Sequence, residues 1–302
     1  MPSKLAPQAL ARILASLDAF RNGPALYALI ASFCFSGLLL AMAESSLARG
    51  NSAWGAAWGL IGVAVAFVGV NATGLLLMDQ ALARPVRDVV DALFDALRSV
   101  HRVLLCLALV LAAAAVMVGL LLALLWAARL RWVGAPLFAL AVPLCVLMLG
   151  VMALACVVLV GPLTGPSVWT GHSALATARM LWRQLRHGLP EAALLMAAVL
   201  ALTAAVTAAT SFVVLSGGRA LALLAVWGAG VDVPAQQLTA GLFGYGLRSL
   251  GAAGAPVAAT PLGVAALVGG GVVFVLALVL PTLVYLRGCC AVYLALQDDA
   301  AV

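Results

Sequence analysis

The sequence predicts an all-α fold, a polytopic bundle of about six transmembrane helices with amphipathic elbow helices at the membrane interface. The 302 residues are 66% hydrophobic and only 9% charged, whereas the surface of a soluble domain needs roughly a quarter of its residues charged. Six apolar stretches carry no internal Asp, Glu, Lys or Arg, and each has the roughly 20 residues that cross a hydrocarbon core of about 30 Å. These observations exclude a water-soluble globular domain.

The spans are placed where the uncharged runs begin and end. They cover residues 24–43, 53–78, 103–127, 134–163, 191–215 and 262–286. The expected organisation is an N-terminal amphipathic interfacial helix over 1–23, a single six-span domain over 24–296 and a short cytoplasmic tail over 297–302. An alternative takes residues 1–43 as a cleaved signal peptide, because a basic start and an apolar run lead to Ala41-Met42-Ala43.

The distribution of cations predicts the orientation. Eleven of the sixteen Lys and Arg lie in the N-terminal segment, the second and fourth loops and the C-terminus, and five lie in the alternate loops. The positive-inside rule then places both termini in the cytoplasm. The Arg and Ala bias is typical of a high-GC bacterial gene, so the expected location is the bacterial inner membrane. Five tryptophans are expected near the opposite interface, namely Trp54, Trp58, Trp126, Trp132 and Trp227.

Two cytoplasmic loops have the pattern of amphipathic helices lying on the membrane. In the second loop an apolar stripe consists of Val86, Val89, Val90, Leu93, Leu97 and Val100. In the fourth loop the helix from Ser173 to Leu189 turns Leu175, Trp182, Leu185 and Leu189 toward the bilayer. We expect its Arg179, Arg183 and Arg186, together with Trp182, to contact anionic lipid headgroups, at about 1 kcal/mol for each Arg.

The run from Pro166 to Arg183 resembles the elbow helix of a broad group of six-span bacterial integral membrane families of unknown function. This group includes the membrane domain of glycerophosphodiester phosphodiesterases. Ala174-Leu175, Leu181 and Arg183 match the pattern of the group, with Ala178 where the group has Ser. The resemblance implies the six-span architecture. It gives no indication of an activity or of a cofactor.

Three carboxylates, Asp88, Asp91 and Asp95, share one face of the second-loop helix and could together hold Mg²⁺. They resemble half of the aspartate-rich site of intramembrane prenyltransferases of the UbiA type. Arg87 stands where that motif has Asn, there is no second aspartate-rich loop, and the span count is six rather than nine. Arg residues lie three or four positions from these Asp, which is the usual spacing of ion pairs on a helix. We therefore expect ion-pair partners and no metal site.

Inside the spans, Asn71 and the triplet Gly269, Gly270 and Gly271 are the candidates for a solute path, since a broken sixth helix would resemble those of transporters. The simpler interpretation is helix packing. The long segment over 216–261 is apolar enough to dip into the bilayer or cap the bundle.

The sequence contains no complete catalytic, nucleotide-binding or metal-binding motif. We therefore expect a non-enzymatic bacterial inner-membrane protein, a lipid-facing scaffold or accessory subunit of a membrane complex. Its expected partners are anionic membrane lipids and other membrane-protein subunits, and not nucleic acid. The alternative is a permease-like carrier of an apolar or neutral solute, and the third hypothesis is a magnesium-dependent lipid-modifying enzyme.

Overall fold

The computed structural model describes residues 11–129, 134–224 and 261–300. In this part of the chain every regular element is helical. The α-helices are α1 (Gly23–Ala48), α2 (Ser52–Ala81), α3 (Val89–Ala127), α4 (Gly134–Ala155), α5 (Gly161–Trp169), α6 (Ala174–His187), α7 (Leu189–Leu223) and α8 (Pro261–Ala300). A 3-10 helix, Ala15–Arg21, precedes α1, and a π-helical segment, Cys156–Val160, joins α4 to α5.

Six helical stretches within the described ranges are long and apolar enough to cross a membrane. They are Gly23–Ala48, Ser52–Ala81, Val89–Ala127, Leu137–Trp169, Leu189–Leu221 and Gly269–Gln297. Each contains most of one predicted span, because length and hydropathy alone decide where such a helix can lie. The predicted all-α polytopic bundle is confirmed.

The second-loop helix differs from the prediction in one respect. The segment is helical as predicted, but it forms the beginning of α3, which runs unbroken from Val89 to Ala127 over 39 residues. The chain has no Gly or Pro between Val89 and Gly119 that could end the helix. The predicted separate elbow is therefore the first part of the third span helix, and its apolar stripe stays exposed, with Leu97 at 62%.

The fourth span is interrupted by proline. Pro162 has no N–H to donate to the carbonyl four residues earlier, and the N–H of Gly161 bonds to the carbonyl of Cys156, five residues back. The helix widens into a π turn at Cys156–Val160 and then continues as α5. This bulge sets the direction of α5, which carries Ser167 and Trp169.

The chain packs as two compact units. Of the described residues, those within Leu14–Ala96 and Val199–Arg287 form the first unit, and those within Met1–Ile13, Leu97–Ala198 and Gly288–Val302 form the second. The domain boundaries expected at residues 23 and 296 stay a prediction.

The antiparallel hairpin of α1 and α2 forms the core of the first unit. The Oγ of Ser36 donates to the carbonyl of Gly62 at 2.8 Å, and the Nδ2 of Asn22 donates to the carbonyl of Leu76 at 3.3 Å. A Cβ added at Gly69 would lie only 2.2 Å from the Cβ of Ser32. The hairpin is therefore held by close backbone approach and by polar contacts between helices, the usual means of packing in lipid.

Parts of three predicted elements lie outside the described residues. These are residues 1–10 of the N-terminal helix, Trp132 and Trp227 of the five tryptophans expected at the interface, and most of the segment over 216–261. Of that last segment, α7 continues as far as Leu223. At the N-terminus, Leu17 and Phe20 of the 3-10 helix each have 40% of their surface exposed.

Candidate functional site

The site is built on the turn between α5 and α6 in the second unit. Gly171 has a φ of +97°, a backbone conformation that favours glycine. Its N–H donates to the carbonyl of Val168 at 2.9 Å, and the N–H of His172 donates to the carbonyl of Ser167 at 3.3 Å. These two bonds form a Schellman motif that ends α5. Ser173 then caps α6, with its Oγ accepting from the N–H of Ala176 at 3.3 Å.

A directed chain of hydrogen bonds joins this turn to α8. The Nε2 of Gln297 donates to the hydroxyl of Tyr293 at 2.5 Å. The hydroxyl of Thr170 donates to the carbonyl of Ser167 at 2.8 Å, so the Tyr293 hydroxyl, 3.0 Å from the Oγ1 of Thr170, is the donor in that contact. The Nδ1 of His172 lies 2.9 Å from the same Thr170 oxygen. The end of α8 is thereby fixed to the turn.

Helix α6 packs on the protein through a face that the sequence pattern did not indicate. Thr177 and Leu181 are buried, and the Oγ1 of Thr177 lies 2.9 Å from the Oγ of Ser167. One of these two hydroxyls thus donates to the other at a place where neither can reach water. The predicted apolar face is separate from this contact and points outward.

The outward face of α6 combines apolar and cationic groups. Leu175 and Trp182 have 52% and 54% of their surface exposed, and Leu185 is partly exposed, whereas Leu189, predicted as the last residue of this face, is instead the first residue of α7. The guanidinium carbon of Arg186 lies 4.7 Å from the centre of the Trp182 ring, in cation-π geometry. This face has the composition of a helix that rests in a membrane interface.

The third side of α6 borders a cavity of about 410 Å³. From α6 it is lined by Ala176, Arg179, Met180, Arg183 and Gln184, and from the rest of the second unit by Leu163, Ser167, His172, Tyr293, Leu296 and Gln297. No carboxylate is among these described lining residues. The cavity is therefore electropositive, with hydrogen-bonding groups and an apolar wall.

The structure separates the three arginines that the sequence predicts as headgroup contacts. Arg179 and Arg183 line the cavity, whereas Arg186 stacks on the exposed Trp182. The predicted contact of these four residues with lipid stays a prediction, but only two of the arginines share a cavity.

The candidates for a solute path lie in the first unit. Asn71 is buried, and its Nδ2 donates to the carbonyl of Phe67 at 2.8 Å, within its own helix. Helix α8 runs without a break through Gly269, Gly270 and Gly271. A Cβ added at Gly269 or Gly271 would meet no atom within 4 Å, so these two glycines do not serve close helix packing among the described residues.

The aspartates of the second loop form one ion pair instead of a cluster. Arg87 bonds to Asp95 at 2.8 Å and to Asp79 at 2.7 and 2.9 Å. No group of three or more His, Cys, Asp or Glu in the described ranges is placed to hold a metal ion. Asp95 is thus an ion-pair partner as predicted, but its partner is eight residues away, and Asp88 and Asp91 are exposed.

Sequence reasoning missed the residues that α8 contributes to the site. Tyr293 lies more than 100 positions from Thr170, the turn residue it contacts, and Gln297 bonds to Tyr293 within α8, whereas a helical pattern indicates only near neighbours. The one available signal was the presence of polar side chains at Tyr293 and Gln297, one turn apart, at the end of an apolar helix.

The fold and this site define a class, a multi-pass α-helical membrane protein with an amphipathic helix flanked by a cationic cavity. Comparisons of the chain with protein-family models, with curated proteins and with solved structures find no match. The resemblance of residues 166–183 to six-span bacterial families therefore stays a prediction.

Proposed function

We propose that this chain is a non-enzymatic protein of the bacterial inner membrane, a lipid-facing scaffold or accessory subunit of a membrane complex. In this proposal both termini are cytoplasmic, and α6 rests in the cytoplasmic interface against anionic headgroups. The observation that carries the proposal is the outward face of α6, where Arg186 stacks on an exposed Trp182 beside an exposed Leu175.

An exposed Trp and Leu on one helix face would be costly in water and are stabilised at a bilayer surface. Arginines on the neighbouring face meet phosphates there, at about 1 kcal/mol each. The two contributions differ in their response to salt, since burial of apolar side chains is not screened.

The burial of the spans supports a protein that offers surface to lipid or to other subunits. Only 11% of the most apolar window of α3 is buried, against 50% for α2. Leu111 and Leu120 on α3 have 71% and 67% of their surface exposed. Among the described residues nothing covers these side chains, which suits contact with lipid tails or with a second membrane protein.

The carrier alternative has less support. A carrier of this kind would use a break in the sixth span helix, and α8 is continuous through Gly269–Gly271. Asn71 bonds to its own helix through Nδ2. We therefore favour the scaffold.

The environment of Trp182 tests the proposal directly. The full-length protein would be reconstituted in vesicles of phosphatidylcholine and phosphatidylglycerol, and the emission of Trp182 obtained as the difference between the wild type and Trp182→Phe. We expect a blue-shifted emission that is quenched by lipids brominated near the headgroup end of the acyl chain.

Trp169 supplies the matched control. It lies on α5, is 9% exposed, and packs over Gly165, where an added Cβ would lie 2.7 Å from its ring. The difference signal from Trp169→Phe should show no quenching by the brominated lipid. An unquenched, red-shifted Trp182 would place the outward face of α6 in water and refute the proposal.

A further inference from the structure

The charges around the cavity lack a counter-ion within the described part of the chain. Arg179 and Arg183 both line it, and the structure records no ion pair for either of them among the described residues. Four residues apart on one helix, the two guanidinium groups repel each other. An anion bound between them would relieve this repulsion and satisfy planar donors that suit phosphate oxygens.

The cavity is also lined by hydrogen-bonding side chains from α8. Tyr293 is 1% exposed, and its hydroxyl is engaged by Thr170 and Gln297. That contact uses one N–H of the Gln297 amide and leaves the other, because an amide carries two donors. Gln184 adds a second amide from α6. The site thus combines two permanent cations with two neutral amides, of which Gln297 is held by its hydrogen bond to Tyr293.

The size and lining of the cavity indicate more than a bare anion. Its volume of about 410 Å³ falls within the range of roughly 300–1,000 Å³ that small-molecule pockets have. Leu163, Met180 and Leu296 give it an apolar wall. This lining suits a ligand with an anionic group at one end and an apolar part at the other.

We propose that this cavity is a binding site for the phosphate group of an anionic amphiphile, held between Arg179 and Arg183 with Gln184 and Gln297 as further donors. This site rests on the proposed function. In addition to the general contact of α6 with anionic headgroups, it binds one anionic amphiphile at a defined, saturable position. A phosphate monoester with a charge of about −1.5 to −2 suits two guanidinium groups better than a diester with a single charge does.

The test measures binding to the full-length protein in detergent, by native mass spectrometry and by titration calorimetry. The probes are short-chain phosphatidic acid, short-chain phosphatidylglycerol and inorganic phosphate. We expect one equivalent of phosphatidic acid to bind saturably, at least tenfold more tightly than either of the other probes. Inorganic phosphate binding as tightly as phosphatidic acid would refute the amphiphile and leave a site for the free anion.

Arg186 provides a matched control, since it has the same charge on the same helix and does not line the cavity. Arg179→Gln with Arg183→Gln should weaken phosphatidic acid binding at least tenfold, and Arg186→Gln less than twofold. Equal weakening by Arg186→Gln would mean diffuse attraction and would overturn the site while leaving the proposed function intact. A second variant, Gln184→Ala, should weaken binding severalfold at unchanged thermal stability, because the structure records no hydrogen bond of this amide among the described residues, and unchanged binding would refute its role.

Two carboxylates of the chain itself, Asp298 and Asp299, follow Gln297 in the sequence. A control is needed for their competition with an anionic ligand for Arg179 and Arg183. Asp298→Asn with Asp299→Asn should change the affinity less than threefold. Binding that is absent in the wild type and appears in this variant would show that the tail neutralises the arginines, and would overturn the proposal. The fluorescence of Trp182 in vesicles tests the membrane contact separately, so the two failures are distinguishable.

Discussion

The guanidinium of Arg87 holds the carboxylate of Asp79 in a fork, with Nε 2.7 Å from one oxygen and Nη2 2.9 Å from the other. The side chain of Asp79 is 7% exposed and that of Arg87 is 31% exposed. The hydrogen bond to Asp79 raises the pKa of Arg87 above its ordinary value, so the arginine stays charged at every working pH. The pair joins the end of α2 to the segment that precedes α3.

Asp79→Asn should destabilise the protein by about 2–4 kcal/mol, because it leaves a partly buried guanidinium without its main partner. Asp95→Asn should cost only about 0.5–1 kcal/mol, since Asp95 is 46% exposed. Unfolding by SDS or heat in detergent would measure both, with the exposed Asp91→Asn as control. A larger loss for Asp95→Asn than for Asp79→Asn would contradict this ranking.

The combined replacement of Asp88, Asp91 and Asp95 by Asn should lower stability little more than Asp95→Asn does. Among the three, Asp95 alone has an ion pair in the described structure. Addition of Mg²⁺ at millimolar concentration should leave the melting temperature of both proteins unchanged. A magnesium-dependent stabilisation of the wild type that the triple variant lacks would restore the enzyme hypothesis.

Gly69→Ala should destabilise the first unit by about 1–3 kcal/mol, since the new methyl would overlap the Ser32 side chain at 2.2 Å. Ser32→Gly in the same protein should recover part of the loss. Gly37→Ala is the matched control on α1, because no atom lies within 4 Å of its added Cβ, and it should be neutral or slightly stabilising. Equal effects of the two alanines in a thermal melt would argue against close packing at Gly69.

Tyr293→Phe should cost about 1–2 kcal/mol, because it removes the hydroxyl that links Gln297 to Thr170. Thr170→Val should cost a similar amount. In a double-mutant cycle the combined variant should lose clearly less than the sum, as expected for two partners of one network. Strict additivity would mean that the hydroxyls do not interact.

Reporter fusions test the proposed orientation. Fusions after Arg102, after Arg186 and at the C-terminus should report cytoplasm, and fusions near Arg131 and Asp232 should report the opposite side. The physical reason is the concentration of cations on one set of loops. A periplasmic signal after Arg186 would also remove α6 from the cytoplasmic surface.

The spans were predictable because twenty apolar residues without charge leave the chain few other places to lie. The start of α6 at Ser173 was predictable as well, but the apolar pattern ran on to Leu189, whereas the helix ends at His187 and Gly188 is its C-cap. The second loop gave the same amphipathic pattern as α6, yet it continues into α3. An apolar stripe does not reveal whether a helix ends, and here only the absence of a breaker between Val89 and Gly119 carried that information.

The candidate site was predictable only in part. Periodicity placed Arg179, Arg183 and Arg186 on one polar side of α6, but it could not distinguish the two that line the cavity from the one that stacks on Trp182. The role of Thr177 was hidden because a threonine does not register in an apolar stripe. Its partner Ser167 lies across a turn whose geometry depends on the left-handed Gly171.

The connection between α1 and α2 has a consequence for biogenesis. It consists of Arg49, Gly50 and Asn51, and three residues reach about 10 Å, a third of the thickness of a hydrocarbon core. The two helices can therefore never be inserted with the same polarity. Whatever fixes the direction in which α1 crosses the membrane therefore also fixes that of α2, so the pair has one orientation to determine and not two.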